Sequence, residues 1–268
     1  MEIDCVKAAE KIAEFIRLKF GAPGRATAVL GVSGGIDSAV VLYLAELALG
    51  PGKISALLLP YKTSDKTELS ETVAMLRNRR VSYRIIDISP MVDPYFSLYF
   101  ENPGPLRMGN KMARERMSIL FDHAQMSNGL VLGTGNKTEI LLGYTTLYGD
   151  SACAFAPIGD LYKTQVRALA SHLGVPARII EKPPTAGLWE GQTDEGELGF
   201  TYTEADRLLY QMVDNKKSKA ELLAMGFDAG LIKNISARIK ANAFKRAMPE
   251  IAPVTGLKAA GFIPQDMV

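Results

Sequence analysis

Residues 31–38 read Gly31-Val32-Ser33-Gly34-Gly35-Ile36-Asp37-Ser38. They lie between a β-prone stretch at 26–32 and a helical periodicity at 39–49. A glycine-rich turn there aims backbone N–H groups and a helix N-terminus at one point, which suits an anion, and above all a phosphate chain. No lysine follows Gly35, so the loop is not a Walker A motif. Ser33 stands where a dinucleotide fingerprint needs glycine. An acidic residue inside a phosphate cradle repels the ligand unless a divalent cation lies between, so Asp37 argues for Mg²⁺. The alternative, that small residues simply suit a tight strand-to-helix turn, stays open for any glycine pair taken alone.

A second constellation is Gly133-Thr134-Gly135-Asn136-Lys137-Thr138-Glu139. It follows an apolar stretch at 130–133, and parallel topology brings it beside the first loop. Glu139 could then share a cation with Asp37. Two carboxylates plus phosphate oxygens suit Mg²⁺, which keeps several waters and avoids all-protein cages.

These loops need a frame, and the chain alternates strand and helix for most of its length. Strands are expected at 26–32, 54–59, 83–88 and 130–133. Helices are expected at about 4–20, 38–49, 64–80 (Ser64 or Asp65 capping it), 110–126, from 137, and at 163–173. Alternation of this kind implies an α/β fold, a parallel sheet with helices on both faces and the ligand at the carboxyl ends of the strands. Residues 90–105 read as a Pro- and aromatic-rich connection. Residues 182–199, with Pro183-Pro184, four glycines and the one tryptophan, Trp189, read either as a surface connection or as an active-site lid. From about 203 the chain is helical, and residues 1–268 are read as a single domain.

The 268 residues suffice for a sizeable core, with 47% hydrophobic and 22% charged residues. A net charge of +2 gives no reason to expect nucleic-acid binding. The N-terminus lacks signal-peptide character and no apolar run spans a membrane, so a cytoplasmic protein is expected. Cys5 and Cys153 are too few and too separated for a redox or metal motif. His123 and His172 stand singly and read as core or surface residues, not zinc ligands.

The loop GVSGGIDS resembles the pyrophosphate loop of the N-type ATP pyrophosphatases, and further segments narrow the resemblance to the NAD synthetase family. A family helix pattern GNxxARxRM is matched by Gly109-Asn110-Lys111-Met112-Ala113-Arg114-Glu115-Arg116-Met117. The aromatic YGD segment is Tyr148-Gly149-Asp150, and the P(I/L)xxLxK segment is Pro157 to Lys163. Pro184-Thr185 and Gln192-Thr193-Asp194-Glu195-Gly196-Glu197-Leu198-Gly199 match the QxDExxLG region, and Lys245-Arg246-Ala247-Met248-Pro249 matches KRxxP. The segments occur in family order from about 25 to 250.

The resemblance implies a three-layer, Rossmann-like fold of the adenine nucleotide alpha hydrolase kind. It implies that the backbone of residues 31–38 holds the ATP phosphates, that Asp37 and Glu139 bind Mg²⁺, and that Thr134, Lys163 and Thr185 contact ATP. Arg114, Asp150 and Lys245 would hold deamido-NAD, with Asp150 near the ammonia and Lys163 acting in catalysis. The implied protein is a homodimeric carbon–nitrogen ligase with the dinucleotide across the subunit interface. Two family positions that touch substrate are changed, to Leu147 and Ala154, and Phe244 replaces a histidine. The implied reaction is AMP-forming amidation of nicotinic acid adenine dinucleotide by ammonia through an acyl adenylate. The ammonia would be free or come from a separate glutaminase subunit, since no fused glutaminase is expected in this length.

A different acceptor within the same superfamily, such as a tRNA base, is the alternative. It would want catalytic cysteines and a basic RNA-binding module, which two separated cysteines and this charge do not provide. A non-enzymatic nucleotide-binding protein would leave both Asp37 and Glu139 unexplained. A hydrolase triad finds no base beside Ser33 or Ser38.

Overall fold

A computed structural model describes residues 1–21, 26–185, 187, 191–250, 252 and 254. Among these residues four strands, β1 (Thr27–Gly31), β2 (Ile54–Leu58), β3 (Ser82–Ile85) and β4 (Gly129–Val131), form one sheet in the order β3-β2-β1-β4. All three pairings are parallel, with Ala28 opposite Ile54 and Leu130, and Ser55 opposite Ser82. Leu132 and Phe155 add an isolated parallel bridge beyond β4.

Alternation along the strands builds two cores. Ala28, Leu30, Ile54, Ala56 and Leu58 face one cluster with α1 (Cys5–Phe20), α2 (Ile36–Leu49), α3 (Lys66–Asn78) and α7 (Lys163–Leu173). Val29, Leu57 and Val131 face the other, with α4 (Ser89–Tyr99) and α5 (Pro105–Met126). This is the three-layer arrangement the alternation implies. Helix α2 is buried on nearly every side, from Ser38 through Ala45, which is why its sequence is apolar all round rather than striped.

A third cluster joins Leu142 of α6 (Lys137–Leu142) and Tyr162 to the later helices α10 (Tyr202–Leu209), α11 (Lys219–Ala224) and α12 (Ala229–Ala241). Two short helices, α8 (Ala177–Glu181) and α9 (Asp194–Leu198), lie between. No helix among the described residues is long and apolar enough to cross a membrane.

Two expectations are corrected. Residues 90–105 are not simply a connection, because α4 occupies most of them. Pro90 sits in its first turn, where no N–H is required. Pro94 lies inside, tolerated because Val92 and Phe96 are buried one turn apart against the sheet. Helix α5 starts five residues before position 110, where Gly104 at φ +73° turns the chain and Pro105 opens the helix. Of segment 182–199, residues 186 and 188–190, Trp189 included, lie outside the described residues, while 194–198 form α9. His123 is a core residue, 8% exposed, with Nε2 2.9 Å from Ser55 Oγ.

Candidate active site

The turn between β1 and α2 is fixed by its own small residues. Gly34 has φ +83°, and a β-carbon there would meet Thr72 Oγ1 at 2.8 Å, so both backbone and space demand glycine. Ser38 Oγ donates to the Gly35 carbonyl (3.0 Å) and accepts from the Ser33 N–H (3.2 Å). The Ala39 N–H donates to the Gly35 carbonyl at 3.1 Å. The N–H groups of Ile36, Asp37 and Ser38 therefore lack intrahelical acceptors and project from the positive end of α2. This is the strand-to-helix turn expected from the sequence.

Asp37, in the first turn of α2, faces the start of α6. Asn136 caps that helix, accepting from the Glu139 N–H (3.0 Å), while Glu139 Oε2 accepts from the Asn136 N–H (3.2 Å). Asn136 Nδ2 then donates to Asp37 Oδ1 at 2.9 Å. Lys163 completes the group: its Nζ lies 2.5 Å from Asp37 Oδ2 and 3.2 Å from Glu139 Oε1. Burial pulls the ammonium's pKa down, but the two carboxylates outweigh this and hold it above its ordinary value. Glu139 is pushed up to about 7, by burial first and by the Asp37 charge, against the pull of Lys163.

Lys163 is the first residue of α7, where the helix dipole disfavours a cation. The fold compensates. Asp206, fully buried, accepts from Thr138 Oγ1 (2.6 Å) and from the Thr164 N–H (2.8 Å). Thr138 Oγ1 in turn accepts from the Lys163 N–H at 3.0 Å. Below the ammonium lies the Tyr202 ring, 5.0 Å from Nζ, and Tyr202 Oη donates to Asp194 Oδ2 at 3.0 Å.

A cavity of about 700 Å³ opens at the carboxyl ends of β1, β2 and β4. It brings together most of the expected site: Gly31, Val32, Ser33, Gly35, Ile36, Asp37 and Ser38 of the loop, with Thr134, Glu139, Asp150, Lys163, Thr185 and Lys245. Asp150 is open to the cavity, yet protein surrounds it. Burial raises its pKa, opposed by the Thr146 N–H that donates to Oδ1 at 2.7 Å. Lys245 Nζ donates to the Gly143 and Thr145 carbonyls, at 2.7 and 2.6 Å. Burial lowers its pKa, opposed by the charge of Asp150.

Arg114 and Gly34 are not part of the lining. Arg114 is exposed, with Nε donating to the Leu147 carbonyl at 3.2 Å. Arg116, two positions on and about 200° round α5, faces the cavity instead. Leu147 and Ala154 also lie outside the lining. Sequence reasoning did not single out Asn136, Asp206, Tyr202 or Asp194. Asn136 carried a local signal, a capping residue three before a glutamate, and Asp194 stands in the QxDExxLG segment.

A family model described as NAD synthase matches residues 8–249. The NH(3)-dependent NAD(+) synthetase of Trichlorobacter lovleyi is 53% identical over 233 residues, covering 87% of this chain and 85% of the relative. The chain belongs to the NAD synthase family. Among solved members and neighbours, the NH3-dependent NAD synthetase of Campylobacter jejuni subsp. jejuni is 38% identical with TM-score 0.81, over 94% of this chain and 100% of the other. The NMN synthetase of Francisella tularensis is 30% identical with TM-score 0.80, over 94% and 99%. In this NAD synthase family chain, the loop, the carboxylate pair and Lys163 therefore sit in one cavity with Asp150.

Proposed function

We propose that the chain is an ammonia-dependent NAD synthetase, which amidates nicotinic acid adenine dinucleotide at the expense of ATP and releases AMP and pyrophosphate. The supporting observation is a single cavity with two chemically distinct ends. One holds the N-terminus of α2 with Asp37, Glu139 and Lys163; the other holds Asp150.

The residues fit a divalent cation. With both carboxylates ionised, Asp37 and Glu139 outnumber the one positive charge of Lys163, and a bound cation would hold them so. Among the described residues no group of three or more His, Cys, Asp or Glu could hold a metal alone, so remaining ligands come from phosphates and water, as Mg²⁺ prefers. Asp37 and Glu139 would hold Mg²⁺, which when bound neutralises charge on the phosphates of ATP.

A carboxylate resists amidation because attack would have to expel oxide. Its oxygen instead attacks the α-phosphorus of ATP, the bond to the pyrophosphate oxygen breaks, and an acyl adenylate forms. The N–H groups of the loop and Lys163 stabilise the charge on the phosphates during this step. Ammonia then attacks the acyl carbon and AMP leaves. Asp150 would take the proton from ammonium as it enters, a role its raised pKa suits. Thr134 and Thr185 would contact ATP, and Lys245 the dinucleotide.

We read residues 1–268 as one domain, since Asp206 of α10 is hydrogen-bonded into the starts of α6 and α7. Pairing as a homodimer is part of the proposal. Leu98, Tyr99 and Leu106 of α4 and α5 are 72%, 70% and 64% exposed, an apolar face that a second copy would cover. Arg114, outside its own cavity, would then serve the dinucleotide of its neighbour. Light scattering should give the mass of two chains, and a monomeric mass at assay concentration overturns the dimer.

Incubation with deamido-NAD, ATP, Mg²⁺ and ammonium should yield NAD, AMP and pyrophosphate in equal amounts. ADP as the main nucleotide product would overturn the α-phosphorus mechanism, and release of AMP without NAD would favour another acceptor.

A further inference from the structure

We infer that Arg116 anchors the carboxylate of the acid substrate at the Asp150 end of the cavity. The inference deepens the amidation reading and rests on it.

Among the described residues, five cationic side chains line the cavity: Arg116, Lys163, Lys182, Arg238 and Lys245. Four are engaged. Lys163 is shared by Asp37 and Glu139, and Lys182 pairs with Glu68 at 2.7 Å. Arg238 donates to Asn234 Oδ1 and the Glu197 carbonyl, while Lys245 donates to two carbonyls. Arg116 differs. Its Nε donates to the Leu59 carbonyl at 3.0 Å, and its two terminal nitrogens meet no acceptor among the described residues. No carboxylate there lies within ion-pair distance, and the guanidinium is desolvated enough for burial to lower its pKa.

A guanidinium in that position is only partly compensated, because burial takes water from it and the Asp150 charge that acts on it lies beyond ion-pair distance. Its free edge presents parallel N–H donors, the geometry that pairs with a carboxylate in two hydrogen bonds. The Leu59 carbonyl fixes the plane through Nε, so this edge is held ready rather than searching for a partner.

Charge distribution decides which anion it takes. The charge of Asp150 acts on Arg116, and those of Arg116 and Lys245 act on Asp150. That end of the cavity therefore carries two positive charges and one negative, an excess of one positive. The phosphate-loop end carries an excess of one negative, from Asp37 and Glu139 against Lys163. A singly charged carboxylate completes the first, and a divalent cation with phosphates completes the second. Arg116 would also explain how the same site releases its product: amidation removes the negative charge that the guanidinium holds, and the neutral amide leaves it unpaired.

The test compares acid and amide on one scaffold, without turnover. Binding of deamido-NAD and of NAD is measured by calorimetry in the absence of ATP, for the wild type and for Arg116→Gln and Arg116→Lys. The wild type should prefer the acid. Arg116→Gln should lose about tenfold to a hundredfold in acid affinity while NAD affinity changes little, the size of a lost charge-assisted pair. Arg116→Lys should fall between, since it keeps the charge and loses the fork. The KM for ATP should stay within about twofold of wild type. Circular dichroism and the melting temperature identify a variant that has not folded, in which case Arg116→Lys alone carries the comparison. An unchanged acid-to-amide ratio in folded variants overturns the inference, and so does a loss confined to ATP, which would place Arg116 on a phosphate. Failure of the wild type to make NAD would instead overturn the amidation reading itself, so the two failures are separable.

Discussion

Asp37→Asn and Glu139→Gln should each lower kcat by roughly a thousandfold while leaving the fold intact, a loss at the upper end of that for one preorganised electrostatic group. Both substitutions keep shape and one carbonyl acceptor. The amide oxygen introduced at position 37 can still accept from Asn136 Nδ2. The one introduced at position 139 can still accept from the Asn136 N–H, since glutamine completes a capping box as glutamate does. What each substitution removes is one negative charge beside Lys163, and with it the excess that makes the site attractive to a divalent cation. The melting temperature should therefore hold, and the magnesium concentration needed for half-maximal rate should rise. Steady-state rates across a magnesium series, with unfolding followed by circular dichroism, make the measurement. Near-normal turnover at saturating magnesium in either variant would mean that the two carboxylates do not share a cation.

Where chemistry needed adjacent residues, the site could be read from the sequence. The phosphate loop, its helix and the turn at 133–139 were readable because a strand-to-helix turn confines its residues to a few neighbours. Parallel pairing of β1 with β4 then brought Asp37 and Glu139 together. The three-layer frame followed from alternation along β1 and β2, where successive side chains face opposite cores. What stayed hidden depended on contacts distant in sequence. Asp206 belongs to a helix with an ordinary amphipathic pattern, and its burial is decided by α6 and α7, 68 and 42 residues away. Arg116 and Arg114 share one motif, and only the rotation of α5 against the sheet decides which faces the cavity. Helix α4 was missed for a local reason: two prolines in six residues argue against a helix until the burial of Val92 and Phe96 is known.

Lys163→Met should damage rate and stability together. In the wild type, Lys163 is 3% exposed, with side chains of Asp37 and Glu139 17% and 15% exposed. Removing the ammonium leaves two carboxylates facing each other without a cation. Breaking a fully buried pair costs about 3–5 kcal/mol; because these carboxylates open onto cavity water, about 2 kcal/mol is expected here. The loss should depend on pH with a definite sign. Glu139 in the folded wild type, raised to about 7 from an ordinary 4.5, binds its proton more tightly than in the unfolded chain. Its contribution is therefore fully present below pH 4.5 and is lost as pH rises through about 7. Without Lys163 the carboxyl is raised further, so the stability deficit of the variant should be small in mild acid and should widen above neutrality. Denaturant unfolding of metal-free protein, in mild acid and again in mild base, tests this. Added magnesium should restore more stability to the variant than to the wild type, because the cation no longer competes with an ammonium for the same oxygens. Turnover should still fall by a hundredfold or more at any magnesium concentration, since the phosphates lose a fixed positive charge. Equal deficits at both pH values, with no differential response to magnesium, would show that Lys163 does not balance the charges of Asp37 and Glu139.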